Sequence, residues 1–181
     1  MTKKIFFILS MMMLGITTMS AQSIIGKWAA DEDFIKEMEL EDKDGKIDIV
    51  LNIAQRTISI DVLMNMDDDG DLISMVYSIP GTYTKVGNKV TAKFDEKKAD
   101  LKVTDIQTND PDMKAMMKTE EGKKAVLSLV NTMVKSEVAE SMKDIAEITT
   151  IFQTFTIEGV TAKKLSIKAL EEVPVSFNRT K

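Results

Sequence analysis

Between Ile47 and Ile79 three successive runs of this chain place an apolar side chain at every second position, and that period restricts the fold more than any other feature. The first sets Ile47, Ile49, Leu51 and Ile53 on one face, after a turn at Asp42-Lys43-Asp44-Gly45. A break at Ala54-Gln55-Arg56 follows. The second run sets Ile58, Ile60, Val62, Met64 and Met66 on one face, with Thr57, Ser59, Asp61 and Asn65 on the other. The third follows Asp67-Asp68-Asp69-Gly70 and carries Ile73, Met75, Tyr77 and Ile79. Side chains of a strand alternate between its two faces, so these are half-buried strands, and the short polar turns make neighbours antiparallel.

Pro80-Gly81 is expected to end the third strand. Beyond it, a two-residue turn at Gly87-Asn88 sets a hairpin register. Val86 then faces Lys89, Lys85 faces Val90, Tyr83 faces Ala92, and Gly81 faces Phe94. One side is Tyr83, Val90, Ala92 and Phe94, the other Thr82, Thr84, Thr91 and Lys93. Another strand carries Leu101, Val103 and, after a slip of phase, Ile106.

The period then becomes helical. Asp110-Pro111 is a helix start, with Asp110 as N-cap and proline in the first turn. Met113, Met116 and Met117 follow, as core packing or as an adaptable apolar lid. After Gly122 a longer helix is predicted to bury Val126, Leu129, Val130, Met133, Val134, Val138, Met142 and Ile145, at spacings of three and four. Lys123, Lys124, Lys135, Glu137, Glu140 and Asp144 fill its solvated face. Residues 110–147 are thus a helical insertion in a strand protein. Strands resume from Thr149, with Ile151, Phe155 and Ile157 inward, a turn at Glu158-Gly159, then Leu165, Ile167 and Ala169. A loop of Glu171, Glu172 and Val173 sets Ala169 opposite Val175, Ile167 opposite Phe177 and Leu165 opposite Arg179, so that Arg179 points inward.

An inward arginine at a barrel end needs a partner, and stacking on an indole supplies one. Trp28, the single tryptophan, lies in the early strand-like run Ile24-Ile25-Gly26-Lys27-Trp28 and is read as the plug of that end, with Gly26 leaving room beside it. Asp31-Glu32-Asp33 then opens either a short helical turn through Phe34 and Met38 or an irregular strand.

Residues 1–21 read as a signal peptide: Lys3-Lys4, an apolar run from Ile5 to Ile16 broken by Ser10 and Gly15, then small residues to Ser20-Ala21. Cleavage is expected after Ala21, with Ser20 as the alternative, and no cysteine is present for a lipid anchor. The product, residues 22–181, is a single domain that is periplasmic or extracellular. Loss of Lys3 and Lys4 takes the formal charge from −5 to −7, and neither a basic run for nucleic acid nor a second apolar run of spanning length is present.

Gly26-x-Trp28 near the start and Phe177-x-Arg179 near the end resemble the opening motif and late basic residue of the lipocalins. Tyr83-x-x-x-Gly87-Asn88-Lys89-Val90-Thr91 and Lys164-Leu165-Ser166-Ile167 are similar to short secreted lipocalin-like domains of Bacteroidetes-type bacteria. The resemblance implies an antiparallel β-barrel of about eight strands in which Gly26, Trp28 and Arg179 close one end. A helical segment before the last three strands, and the lack of a Thr-Asp-Tyr motif, depart from the lipocalin pattern.

With no histidine and no cysteine, the chain lacks the parts of Ser-His-Asp and Cys-His nucleophiles, of the usual zinc sites and of disulfides. Asn65-x-Asp67-x-Asp69-Gly70-Asp71 imitates half of a calcium loop, but its twelfth position is Val76 and strands flank it, so an acidic hairpin tip is expected. Asp42, Asp44 and Asp48 raise a weaker form of the same question. No carboxylate pair stands out for catalysis. The expectation is a non-enzymatic protein without metal or cofactor. A barrel of this size is either filled by side chains or holds one small ligand. In the second case the ligand is apolar, and Ile58, Ile60, Val62, Met64, Met75, Tyr77, Tyr83 and Phe94 line its site; in the first the protein is a structural or interaction module.

Overall fold

A computed structural model describes residues 23–38, 45–68, 70–137, 148–170 and 173–180. The expected leader and its cleavage point lie outside them, as do Asp42, Asp44, Asp69, Val138, Met142 and Ile145. Among the described residues nine strands form one antiparallel sheet: β1 (Gly26–Ala30), β2 (Gly45–Ile53), β3 (Thr57–Asp68), β4 (Asp71–Val86), β5 (Lys89–Phe94), β6 (Asp100–Gln107), β7 (Thr154–Val160), β8 (Lys164–Ala169) and β9 (Val173–Arg179). The circuit β1-β2-β3-β4-β5-β7-β8-β9 returns to β1 and closes an eight-stranded barrel, consistent with a lipocalin-like fold. β6 is the additional strand, laid on the edge of β4 beyond β5.

The alternating runs occupy β2, β3 and β4 with their apolar faces inward. Opposed residues form cross-strand rows: Leu51 with Ile60 and Ile79, Ile49 with Val62 and Tyr77, Ile47 with Met64 and Met75. The β4–β5 hairpin has the register set by its turn, Val86 against Lys89 through Gly81 against Phe94, and Gly87 takes the left-handed φ of +60° that the turn requires. The phase slip in β6 is a bulge, Met75 facing Val103 while Ser74 faces Asp105.

Four strand features differ from the sequence expectation. β4 does not end at Pro80-Gly81. It keeps β3 as one neighbour while the other changes from β6 to β5, and the missing proline N–H falls where that change occurs. Glu158-Gly159 is a bulge within β7, and the turn lies at 161–163, where Thr161 Oγ1 accepts from the Lys163 and Lys164 N–H groups. Ile151 belongs to a helix, because the spacing of four between Ile148 and Phe152 sends both into the core. The β8–β9 register is shifted by two: Ala169 faces Val173, Ile167 faces Val175 and Leu165 faces Phe177. A shift of two preserves the faces, so the same side chains point inward.

Helices lie at the far end and along the edge of β6. α1 (Glu32–Glu37) is the helical alternative at Asp31, whose side chain accepts from the Phe34 N–H. α2 (Pro111–Met116) is capped by Asp110 at the Asp112 and Met113 N–H groups. α3 (Glu120–Glu137) lies along the free edge of β6, and α4 (Ile148–Phe152) plugs the space above the short β5–β7 pairing. Of the residues expected to be buried on the long helix, Val126 is buried, Val130 and Val134 are half-buried, and Leu129 and Met133 are exposed. A helix resting on one strand edge covers only a narrow stripe, here 126, 130 and 134. The methionine cluster is not core either: Met116 is exposed, and Met113 and Met117 are half-buried. Among the described residues no helix is long and apolar enough to cross a membrane.

Candidate functional site: the two ends of the barrel

Antiparallel alternation gathers the start of β1, the β2–β3, β4–β5 and β7–β8 turns and the end of β9 at one end of the barrel. That end is sealed by Trp28, which is fully buried and donates from Nε1 to the Ile24 carbonyl at 2.7 Å. β1 and β9 are direct neighbours with Trp28 opposite Arg179. The guanidinium stands 4.5 Å from the indole centroid and donates from Nη2 to the Ile25 carbonyl at 3.0 Å. Gly26 has φ +155°, and a Cβ there would lie 3.1 Å from Arg179 Nη2. A recess of about 390 Å³ beside the guanidinium is bordered by Ser23, Ile25, Thr161 and Ala162.

The proposed lining residues divide by height. Ile58, Ile60, Val62 and Met75 are buried among Leu51, Ile53, Ile79, Leu165 and Phe177 in one continuous core. A side chain with no surface open to a water-sized sphere borders no void that water would fill, so this part of the barrel is packed. Along the inward face of β3, exposure rises from 0% at Ile60 and Val62 to 8% at Met64 and 43% at Met66. Ile47 and Ile73, in the rows of Met64 and Met66, are half-buried. The far end is therefore an apolar, methionine-bearing rim. Ile47 and Ile73 are inward as their period predicts, with no role assigned to them from sequence, and the α4 plug with Phe152 falls where strand was expected. Phe152 of α4 meets Phe34 edge-on at 6.0 Å and Phe177 at 5.9 Å.

Tyr83 and Phe94 lie apart from that rim. Tyr83 is half-buried below the β2–β3 turn, where its N–H reaches the Arg56 carbonyl. Phe94 faces an open groove of about 690 Å³ walled by Pro80–Thr82, Lys93 and the 3-10 turn Glu96–Lys98. Tyr77 is nearly buried. That burial, and then the charge of Glu96, raise its phenol above the ordinary 10.0. Glu96 also accepts from the buried Thr149 hydroxyl at 3.1 Å, joining the 3-10 turn to α4.

At the acidic hairpin tip Asp67 accepts from the Gly70 N–H, while the two oxygens of Asp71 accept from the Asn109 N–H and the Thr108 hydroxyl, both at 2.9 Å. These carboxylates hold the turn and the β6–α2 connection. Asp48 pairs with Lys46 at 3.4 Å. Among the described residues no group of three acidic side chains is arranged to hold a metal. In comparison with known proteins, no family model matches the chain and no curated protein is similar to it in sequence.

Proposed function

We propose that this is an exported, non-enzymatic lipocalin-like protein, periplasmic or extracellular, that takes a small apolar ligand at the methionine-bearing end of its barrel. The observation behind this reading is the graded exposure along β3, from closed packing at Ile60 to open surface at Met66. Methionine side chains adapt to irregular apolar shapes, so Met64 and Met75 can move aside for a ligand that a rigid isoleucine row would reject. The absence of histidine and cysteine from the chain favours binding over nucleophilic chemistry.

A second reading is supported by the packed rows of Ile58, Ile60 and Val62: a filled barrel that works through its surface, with no small-molecule ligand. Titration with Nile red, followed by native mass spectrometry, separates the two. The first reading expects saturable uptake at one site, weakened at least tenfold by Met64→Trp, which fills the rim. A wild-type protein that neither brightens the dye nor retains it in the gas phase supports the filled barrel.

A further inference from the structure

Charge is distributed unequally between the two ends of the barrel. Lys27, Arg56, Lys85, Lys89, Lys163, Lys164 and Arg179 all lie in or beside the chain segments of the Trp28 end, and all seven are exposed. Among the described residues of that end, 23–27, 54–57, 82–91, 160–165 and 178–180, there is no aspartate or glutamate. The whole chain is nevertheless acidic, at −5. Ion pairing follows the same division. Lys46, Lys98, Lys123, Lys135 and Lys168, on the walls and towards the helices, each have a carboxylate partner. None of the seven cations at the closed end forms such a pair among the described residues.

The same surface presents aliphatic side chains. Val86 is 81% exposed at the tip of the β4–β5 hairpin between Lys85 and Lys89, and Ile25 is 45% exposed beside Arg179. Base stacking requires open aromatic faces, whereas Trp28 is buried and Tyr83 half-buried. Cations around a protruding aliphatic tip match an interface in which headgroup phosphates meet the lysines and the apolar tip enters below them. We infer that the closed end docks on an anionic phospholipid surface, with the rim at the far end turned away from the bilayer. This inference is independent of whether the rim binds a ligand.

Co-sedimentation of residues 22–181 with vesicles of phosphatidylcholine, with and without phosphatidylglycerol, tests it. Binding is expected only where phosphatidylglycerol is present, and is lost at about 1 M salt, where the Debye length is about 3 Å. Each lysine removed is expected to lower partitioning about fivefold, so Lys85→Gln with Lys89→Gln weakens it about 25-fold. Val86→Ser weakens it several-fold at constant charge, and Lys97→Gln with Lys98→Gln leaves it unchanged. The variants are at exposed positions, and circular dichroism checks their folding. Equal binding to pure phosphatidylcholine, or no response to the hairpin lysines, overturns the inference. So does binding to a duplex oligonucleotide as tight as to the vesicles, with Val86→Ser without effect.

Discussion

At the residue scale, three groups fix the closed end: an indole with no exposed surface, a guanidinium laid over it and a glycine whose missing side chain leaves space for that guanidinium. Arg179→Ala removes both the cation–π contact and the hydrogen bond to Ile25, and is expected to cost about 1–2 kcal/mol. Gly26→Ala forces a Cβ into a φ that L side chains avoid and towards Nη2, for about 1–3 kcal/mol. Urea denaturation followed by Trp28 fluorescence measures both, and acrylamide quenching should rise in Arg179→Ala because the ring loses its cover. A quenching constant unchanged from wild type would remove the stacking from this account. The meeting of Arg179 and Trp28 was legible from side-chain parity even though the β8–β9 register behind it was off by two. Parity survives a slip of two, and the pair is set by the direct β1–β9 contact.

At the element scale, what could be read depended on whether an element's surroundings were implied by its own residues. The inward faces of β2, β3 and β4 and the β4–β5 register follow from period and turn chemistry alone. The continuity of β4 through Pro80 does not, because it depends on which strand lies alongside. The same holds for α3, whose apolar stripe is wider than the strand edge it covers, leaving Leu129 and Met133 outside. What α3 does for β6 is visible in one contact: Asn131 Oδ1 accepts the outward N–H of Val103 at 3.1 Å, in place of a neighbouring strand. Lys135 with Asp100 at 2.7 Å and Lys123 with Asp105 at 3.6 Å flank it, but both pairs are solvent-exposed and contribute little. Asn131→Ala is therefore expected to cost about 0.5–1.5 kcal/mol. Hydrogen exchange should locate the loss at the Val103 amide, whose protection falls while that of the β3 core amides follows only the global change. Uniform loss across all strands would mean that Asn131 acts through helix packing instead.

At the scale of the whole molecule, the cationic end was invisible to sequence reading because it is assembled from turns spread over more than a hundred residues of the chain, none of them basic enough alone to signal a patch. The composition does bear on how folding responds to pH. With no histidine and no cysteine, no side chain ionises at its ordinary value between the carboxylates and the phenols. Stability should therefore be nearly level across neutral pH and bend only at its margins. On the acid side, hydrogen bonds from Lys98 and Lys135 hold Asp95 and Asp100 below the ordinary 3.8. Their contribution is present above that value and is lost as pH falls through the lowered values, and it is small because both groups are exposed. On the alkaline side, the folded state holds the Tyr77 proton more tightly than the unfolded chain does. Its contribution is complete below pH 10.0 and is lost as pH rises through the raised value. Comparing wild type with Tyr77→Phe in urea cancels the lysines and Tyr83, which both proteins share. The difference in unfolding free energy should be constant from about pH 7 to 9 and then shift against the wild type. A difference that stays constant to the highest pH at which both proteins fold would mean that the phenol is as well solvated in the barrel as in the open chain, contrary to its burial beside Glu96.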